Sequence, residues 1–188
     1  MIPANTLLEA YSQGIFPMAD EDGAIGWYEA NPRAIIEIDG YRIPHDLKRV
    51  LKRNSFELHR NRSFEQVMRN CMQRNPTWIS EEMVRSYVQL HRLGHAHSVE
   101  TWHNGELVGG LYGVHIGGAF FGESMFHRAS HASKIALAHL MRHLQERNFA
   151  LHDAQMMTST LKLFGAENIP RSEYLQRLEQ AIKKKVVF

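Results

Sequence analysis

Asp153 and Gln155 stand two positions apart at the end of Ala150-Leu151-His152-Asp153, a run that reads as a short buried strand. Residues i and i+2 of a strand point to one face. An aspartate in such a place can accept a proton or hold the neighbouring glutamine amide. A glutamine can orient an amine or donate to a developing oxyanion. The same aspartate also suits a simple loop cap before Thr158. Glu123 is a second candidate, a carboxylate in the run Phe120-Phe121-Gly122-Glu123-Ser124-Met125-Phe126. A charge among apolar residues is costly unless paired or solvated. It suits a guanidinium or an ammonium group, or an internal ion pair with Arg128 or Lys134.

Apolar residues frame these groups. Leu137, Leu140 and Leu144 share one helix face by their spacing and read as core or as the wall of an apolar pocket. Trp78 can stack on a base or fill the interior. The pairs His91/His95, His127/His131 and His139/His143 have helical spacing, but none forms His-Glu-x-x-His and no third ligand is evident, so no metal is expected. No Gly-x-Ser-x-Gly elbow is present for a serine hydrolase.

The positioning elements follow from periodicity and turn signals. A helix over Leu7 to Tyr11 ends at Gly14. Short strands are expected at Ile25–Tyr28, Ala34–Ile38 and Ser55–His59, with a basic helix from Asp46 to about Arg53. Ser63 and Ser80 read as caps of two helices. Ala96–Trp102, Leu107–Val114 and Ala119–Met125 are three successive strands, turned at Asn104-Gly105 and Gly117-Gly118. A long helix to Arg147, the strand bearing Asp153, a helix capped by Thr158 and a last helix opened by Pro170 complete the chain. The fold class is α+β: a small mixed N-terminal lobe over residues 1–62, then a domain over 63–188 with a mainly antiparallel sheet flanked by helices. That order resembles the N-acetyltransferase-like acyltransferase fold.

Composition bounds the function. The chain has 188 residues, 44% hydrophobic, and a net charge of +2. The charge gives no global argument for nucleic acid. The basic run Lys48, Arg49, Lys52 and Arg53 is a local candidate for phosphate contact. No apolar run nears the ~20 residues of a membrane span. The single cysteine, Cys71, excludes an internal disulfide framework and fits a cytoplasmic location.

Nine motifs in register carry a resemblance over nearly the whole chain. They are Gly14-Ile15-Phe16-Pro17, Trp27 with Pro32-Arg33, Thr77-Trp78-Ile79, Gly94-His95-Ala96-His97-Ser98-Val99-Glu100, Leu107-Val108-Gly109-Gly110-Leu111-Tyr112-Gly113, Gly122-Glu123-Ser124-Met125-Phe126, Ala132-Ser133-Lys134, Asp153-Ala154-Gln155, and Gly165-Ala166 with Ile169-Pro170-Arg171. Together they resemble the leucyl/phenylalanyl-tRNA–protein transferases. The resemblance implies a monomeric bacterial enzyme without cofactor. It would move Leu, Phe or Met from aminoacyl-tRNA to the α-amine of proteins beginning with Arg or Lys, creating an N-degron. It places the catalytic pair on Asp153 and Gln155, and the acceptor cation on Glu123. The donor side chain would lie among Leu111, Phe120, Leu137, Leu140 and Leu144, with Trp78 and Tyr87 near the aminoacyl-adenosine end. Three departures stand out. The family usually begins with a further N-terminal segment. Its Gly-Ile-Phe-Pro continues with tryptophan where this chain has Met18. Thr160 and Leu163-Phe164-Gly165 replace a histidine and Ser-Leu-Gly.

Two other readings use the same elements. An acyl-CoA-dependent N-acyltransferase needs a glycine-rich pyrophosphate loop at a helix start, but Arg128-Ala129-Ser130-His131-Ala132-Ser133 has no glycine. A non-catalytic aminoacyl-tRNA or N-degron binding module would not require Asp153, Gln155 and Glu123 together.

Overall fold

The computed structural model describes residues 1–53 and 55–188. The chain opens with α1 (Ala4–Ser12), β1 (Phe16–Ala19), β2 (Ile25–Tyr28), β3 (Arg33–Ile36), α2 (His45–Arg53) and β4 (Glu57–Arg60). It continues through α3 (Phe64–Met72), α4 (Glu81–Arg92), β5 (Ala96–His103), β6 (Glu106–Ile116) and β7 (Ala119–His127). It closes with α5 (Ala132–Glu146), β8 (Leu151–Gln155), α6 (Ser159–Leu163), β9 (Glu167–Ile169) and α7 (Arg171–Ile182). Strands β1 and β2 form a small hairpin; the rest form a seven-stranded sheet in the order β4-β5-β6-β7-β8-β3-β9. Every pairing in it is antiparallel except β7 with β8. The expected boundary at residue 62 cuts this sheet, because β3 lies between β8 and β9 and β4 pairs with β5.

Several caps act as their residue types dictate. Ser80 accepts from the Met83 amide and Thr158 from the Leu161 amide, each at 3.2 Å. Ser63 does not cap with its side chain; its own N–H donates to Glu100 at 2.8 Å. Helix α1 starts after Pro3 with no side-chain cap, earlier than Asn5 or Thr6 would place it. Gly117 (φ +53°) turns the β6–β7 hairpin, and a side chain there would lie 2.1 Å from the Ile182 carbonyl at the end of α7.

Alternation along the strands sends apolar side chains to both faces. Tyr112, Val114 and Phe121 join a core with α1, α3, α4 and α7. Leu111 and Phe120, one residue away on the same strands, join a second core with α2, α5 and α6. The sheet therefore divides the interior in two. Among the described residues no helix is long and apolar enough to cross a membrane.

Candidate active site

The site forms where β7 and β8 part. Their parallel pairing ends at Phe121↔Asp153, while β7 runs on to His127 and β8 stays paired with β3 as far as Ala34↔Gln155. A cleft of about 580 Å³ opens between them, with Gly122, Glu123, Ala154 and Gln155 on its walls. The register on the other side of β7 passes from Gly113↔Gly122 to Tyr112↔Ser124. Glu123 is thus the extra residue of a β-bulge, a device that re-aims a side chain.

Glu123 is half-buried and held by three partners. Its Oε1 accepts from the Tyr11 hydroxyl at 2.6 Å and from Gln155 Nε2 at 2.8 Å, and Tyr87 donates to Oε2 at 3.5 Å. The Tyr11 and Tyr87 hydroxyls also bond each other. Withdrawal from bulk water pushes the Glu123 carboxyl up to about 7, with Asp153 adding to the rise; the Tyr11 and Gln155 hydrogen bonds and Arg33 oppose it. No ion pair with Arg128 or Lys134 forms; Arg128 instead donates to Asn70 at 2.7 Å.

Asp153 lies deeper. Its side chain is fully buried and its oxygens are engaged by four donors. Arg33 grips it with Nε at 2.9 Å and Nη2 at 2.7 Å, the Tyr174 hydroxyl donates at 2.6 Å, and the Gln155 backbone N–H donates at 2.8 Å. Arg33 is itself buried, lying 4.9 Å from the Phe16 ring centroid and 4.5 Å from that of Tyr174, and it donates to the Gly14 carbonyl at 2.9 Å. Burial opposes the Arg33 charge, but the hydrogen bonds and charge of Asp153 outweigh it, so the guanidinium is held above its ordinary range. Burial and Asp153 push the Tyr174 phenol far up, keeping it a donor. An aspartate so enclosed cannot reach a ligand. Its effect on the site passes through Gln155, whose backbone it holds at φ +60°.

The other expected site residues divide. Leu111, Leu137, Leu140 and Trp78 line the cleft, and the Arg74 guanidinium lies 5.1 Å over the Trp78 ring. Phe120 and Leu144 are buried behind that wall in the second core, because the Phe120 ring is packed over Gly113. Tyr87 is also fully buried, so it supports Glu123 from behind rather than meeting a base. Lys48, Arg49, Lys52 and Arg53 are exposed on α2 and do not line the cleft. Thr160, one of the departures from the family pattern, does line it. Sequence reasoning gave no site role to Tyr11, Arg33, Tyr174, Arg74 and Lys134. Only Arg33 and Lys134 carried a signal, as parts of the Pro32-Arg33 and Ala132-Ser133-Lys134 motifs.

Comparison with known proteins fits this geometry. The family model described as leucyl/phenylalanyl-tRNA protein transferase matches residues 35–179, and that of its N-terminal domain matches residues 1–31. The chain belongs to the leucyl/phenylalanyl-tRNA protein transferase family. A leucyl/phenylalanyl-tRNA–protein transferase of Chlorobium limicola is 49% identical, covering 100% of both chains. One of Gloeobacter violaceus is 52% identical, over 94% of this chain and 92% of its own. The fold, though not the sequence, is shared with a solved GCN5-related glucosamine N-acetyltransferase region of a fungal multi-domain GH3 β-N-acetylglucosaminidase. That likeness has a TM-score of 0.51 at 11% identity and covers 88% of this chain and 22% of the other. This chain thus has an N-acetyltransferase-like fold, as the order of elements led one to expect.

Proposed function

We infer that this chain transfers leucine, phenylalanine or methionine from aminoacyl-tRNA to the α-amine of proteins beginning with arginine or lysine, marking them for degradation. One observation carries the reading: a carboxylate and an amide joined at 2.8 Å stand in a cleft whose other wall is leucine-rich. An aminoacyl ester is already activated, so the chemistry needs placement more than force. The acceptor amine, with a free pKa of ~7.7–8.0, is partly neutral near pH 7. Gln155 is held by one of its two N–H bonds, donated to Glu123, and its carbonyl oxygen accepts from the amine and aims the lone pair. The amine then forms a C–N bond to the ester carbon and the C–O bond to the ribose breaks. The proton lost by the amine ends on the departing ribose oxygen. Asp153 is a positioning residue that fixes Gln155 through its backbone. Arg74 and Lys134 supply positive charge on the cleft wall for the tRNA end, Trp78 a surface for its base, and the α2 cations a phosphate contact outside the cleft. The protein works as a monomer in the cytoplasm.

The primary experiment is transfer of labelled Phe from charged tRNA to Arg-initiated and Ala-initiated peptides. Preference for the Arg peptide is expected; equal transfer to both would remove Glu123 from its role. The pH dependence adds a signature. Glu123 holds its proton more tightly folded than unfolded, since its pKa rises from 4.5 to about 7. Its contribution to stability is therefore present at low pH and lost as pH rises through about 7. A bound guanidinium favours the ionised carboxylate instead. Affinity for the Arg peptide should accordingly rise with pH through the neutral range, and Glu123→Gln should flatten that rise. A rise that persists in the variant would assign it to another group.

The donor wall predicts a second outcome. Leu140 is fully buried against the cleft. Leu140→Ala should shift competition between Leu- and Phe-tRNA toward Phe, at a stability cost of ~2–5 kcal/mol. An unchanged ratio would place the donor side chain elsewhere.

A further inference from the structure

His152 lines the cleft, is 2% exposed, and leaves its hydrogen-bonding capacity unused. Its Nδ1 is buried with no partner. Among the described residues no group bonds Nε2 either, and that nitrogen is turned toward Gly122, where an added Cβ would lie 3.4 Å from it. Burial pushes the ring down to about 4, so it is neutral at physiological pH. A neutral imidazole carries one N–H. An unpaired buried donor is costly, so the proton belongs on Nε2, at the cleft, rather than on enclosed Nδ1.

Strand alternation decides which part of a ligand this donor meets. Asp153 points to the face that holds Arg33 and Tyr174. His152 and Ala154, its neighbours on β8, point to the opposite face. There the His152 ring stacks on Phe120, with centroids 6.0 Å apart and planes 15° apart, and Phe120 belongs to the core of Leu111, Leu137 and Leu140. The N–H therefore lies on the donor side-chain side of the sheet, not with the groups that hold the amine.

We propose that His152 is a specificity-determining residue, a single polar reader in an otherwise apolar pocket, and that it admits donors with an apolar body and an acceptor oxygen, tyrosine above all. This deepens the donor-pocket reading and rests on it. A phenol entering an apolar pocket loses its hydration and is excluded unless a partner meets it. One net neutral hydrogen bond changes a ratio by roughly two- to tenfold.

The test charges one tRNA body with Phe, Tyr or 4-methylphenylalanine, the last having tyrosine's bulk without its oxygen. With an Arg-initiated peptide, the wild-type protein should transfer Tyr within about tenfold of Phe and faster than 4-methylphenylalanine. His152→Leu should lower the Tyr/Phe ratio by about two- to tenfold. The wild-type comparison stands even where the variant does not fold. Transfer of Phe without Tyr, 4-methylphenylalanine used as well as Tyr, or an unchanged ratio in His152→Leu would each overturn the proposal. Failure of wild type to use Phe at all would instead overturn the underlying transferase reading, and this one with it.

Discussion

Arg33→Met is expected to lower the unfolding free energy by about 3–5 kcal/mol, because it strands a fully buried Asp153 carboxylate without its cation. The loss extends further, since Arg33 also donates to the Gly14 carbonyl and lies between the Phe16 and Tyr174 rings. It thereby ties the segment after α1 to β8 and α7. Transfer should fall with stability, because Gln155 loses the support of its backbone. Denaturant unfolding of Arg33→Met beside the double variant Arg33→Met/Asp153→Leu separates the causes. Removing both charges should recover much of the stability, while the single change should not. A single variant as stable as wild type would show that the pair is not what holds these elements together.

Gln155→Ala is expected to lower single-turnover transfer on the order of 10²–10³-fold, the scale of losing one group that places the reacting atoms. Its effect on folding should be small. The side chain makes one neutral-to-charged bond, to Glu123, at the edge of the cleft. Its backbone bond to Asp153 is untouched by the substitution. Saturating Arg peptide and a thermal midpoint measured on the same sample distinguish lost chemistry from lost structure. Asp153→Asn cannot make that separation, because the same carboxylate is the partner of Arg33. Turnover near the wild-type level in Gln155→Ala would remove the amide from the reaction.

Local signals carried the sequence reading well. The Asn104-Gly105 and Gly117-Gly118 turns, the caps at Ser80 and Thr158, and the long apolar helix α5 depend on neighbours a few residues away, and all stand where their residue types put them. Glu123 stood out for the same reason, as a carboxylate in an apolar run, and Asp153 and Gln155 by their i, i+2 spacing at the end of a strand. Their partners were not visible. Arg33 meets Asp153 across 120 residues of chain and Tyr11 meets Glu123 across 112, and no periodicity reports such pairings. The bulge that frees Glu123 is a property of strand register, which a sequence of glycines and aromatics permits in more than one form. Spacing along α5 put Leu137, Leu140 and Leu144 on one face, yet only the first two reach the cleft. That face is longer than the gap between β7 and β8. The three-residue β9 was missed because Glu167-Asn168-Ile169 has neither length nor alternation.

We propose that Glu123 and Gln155 act as one unit at the parting of β7 and β8. A double-mutant cycle on single-turnover transfer of Phe to an Arg-initiated peptide tests it most directly, using wild type, Glu123→Gln, Gln155→Ala and the double variant. Groups that work as a unit are non-additive. The double variant should transfer about as fast as the slower single variant. Independent losses that multiply in the double variant would contradict a shared site.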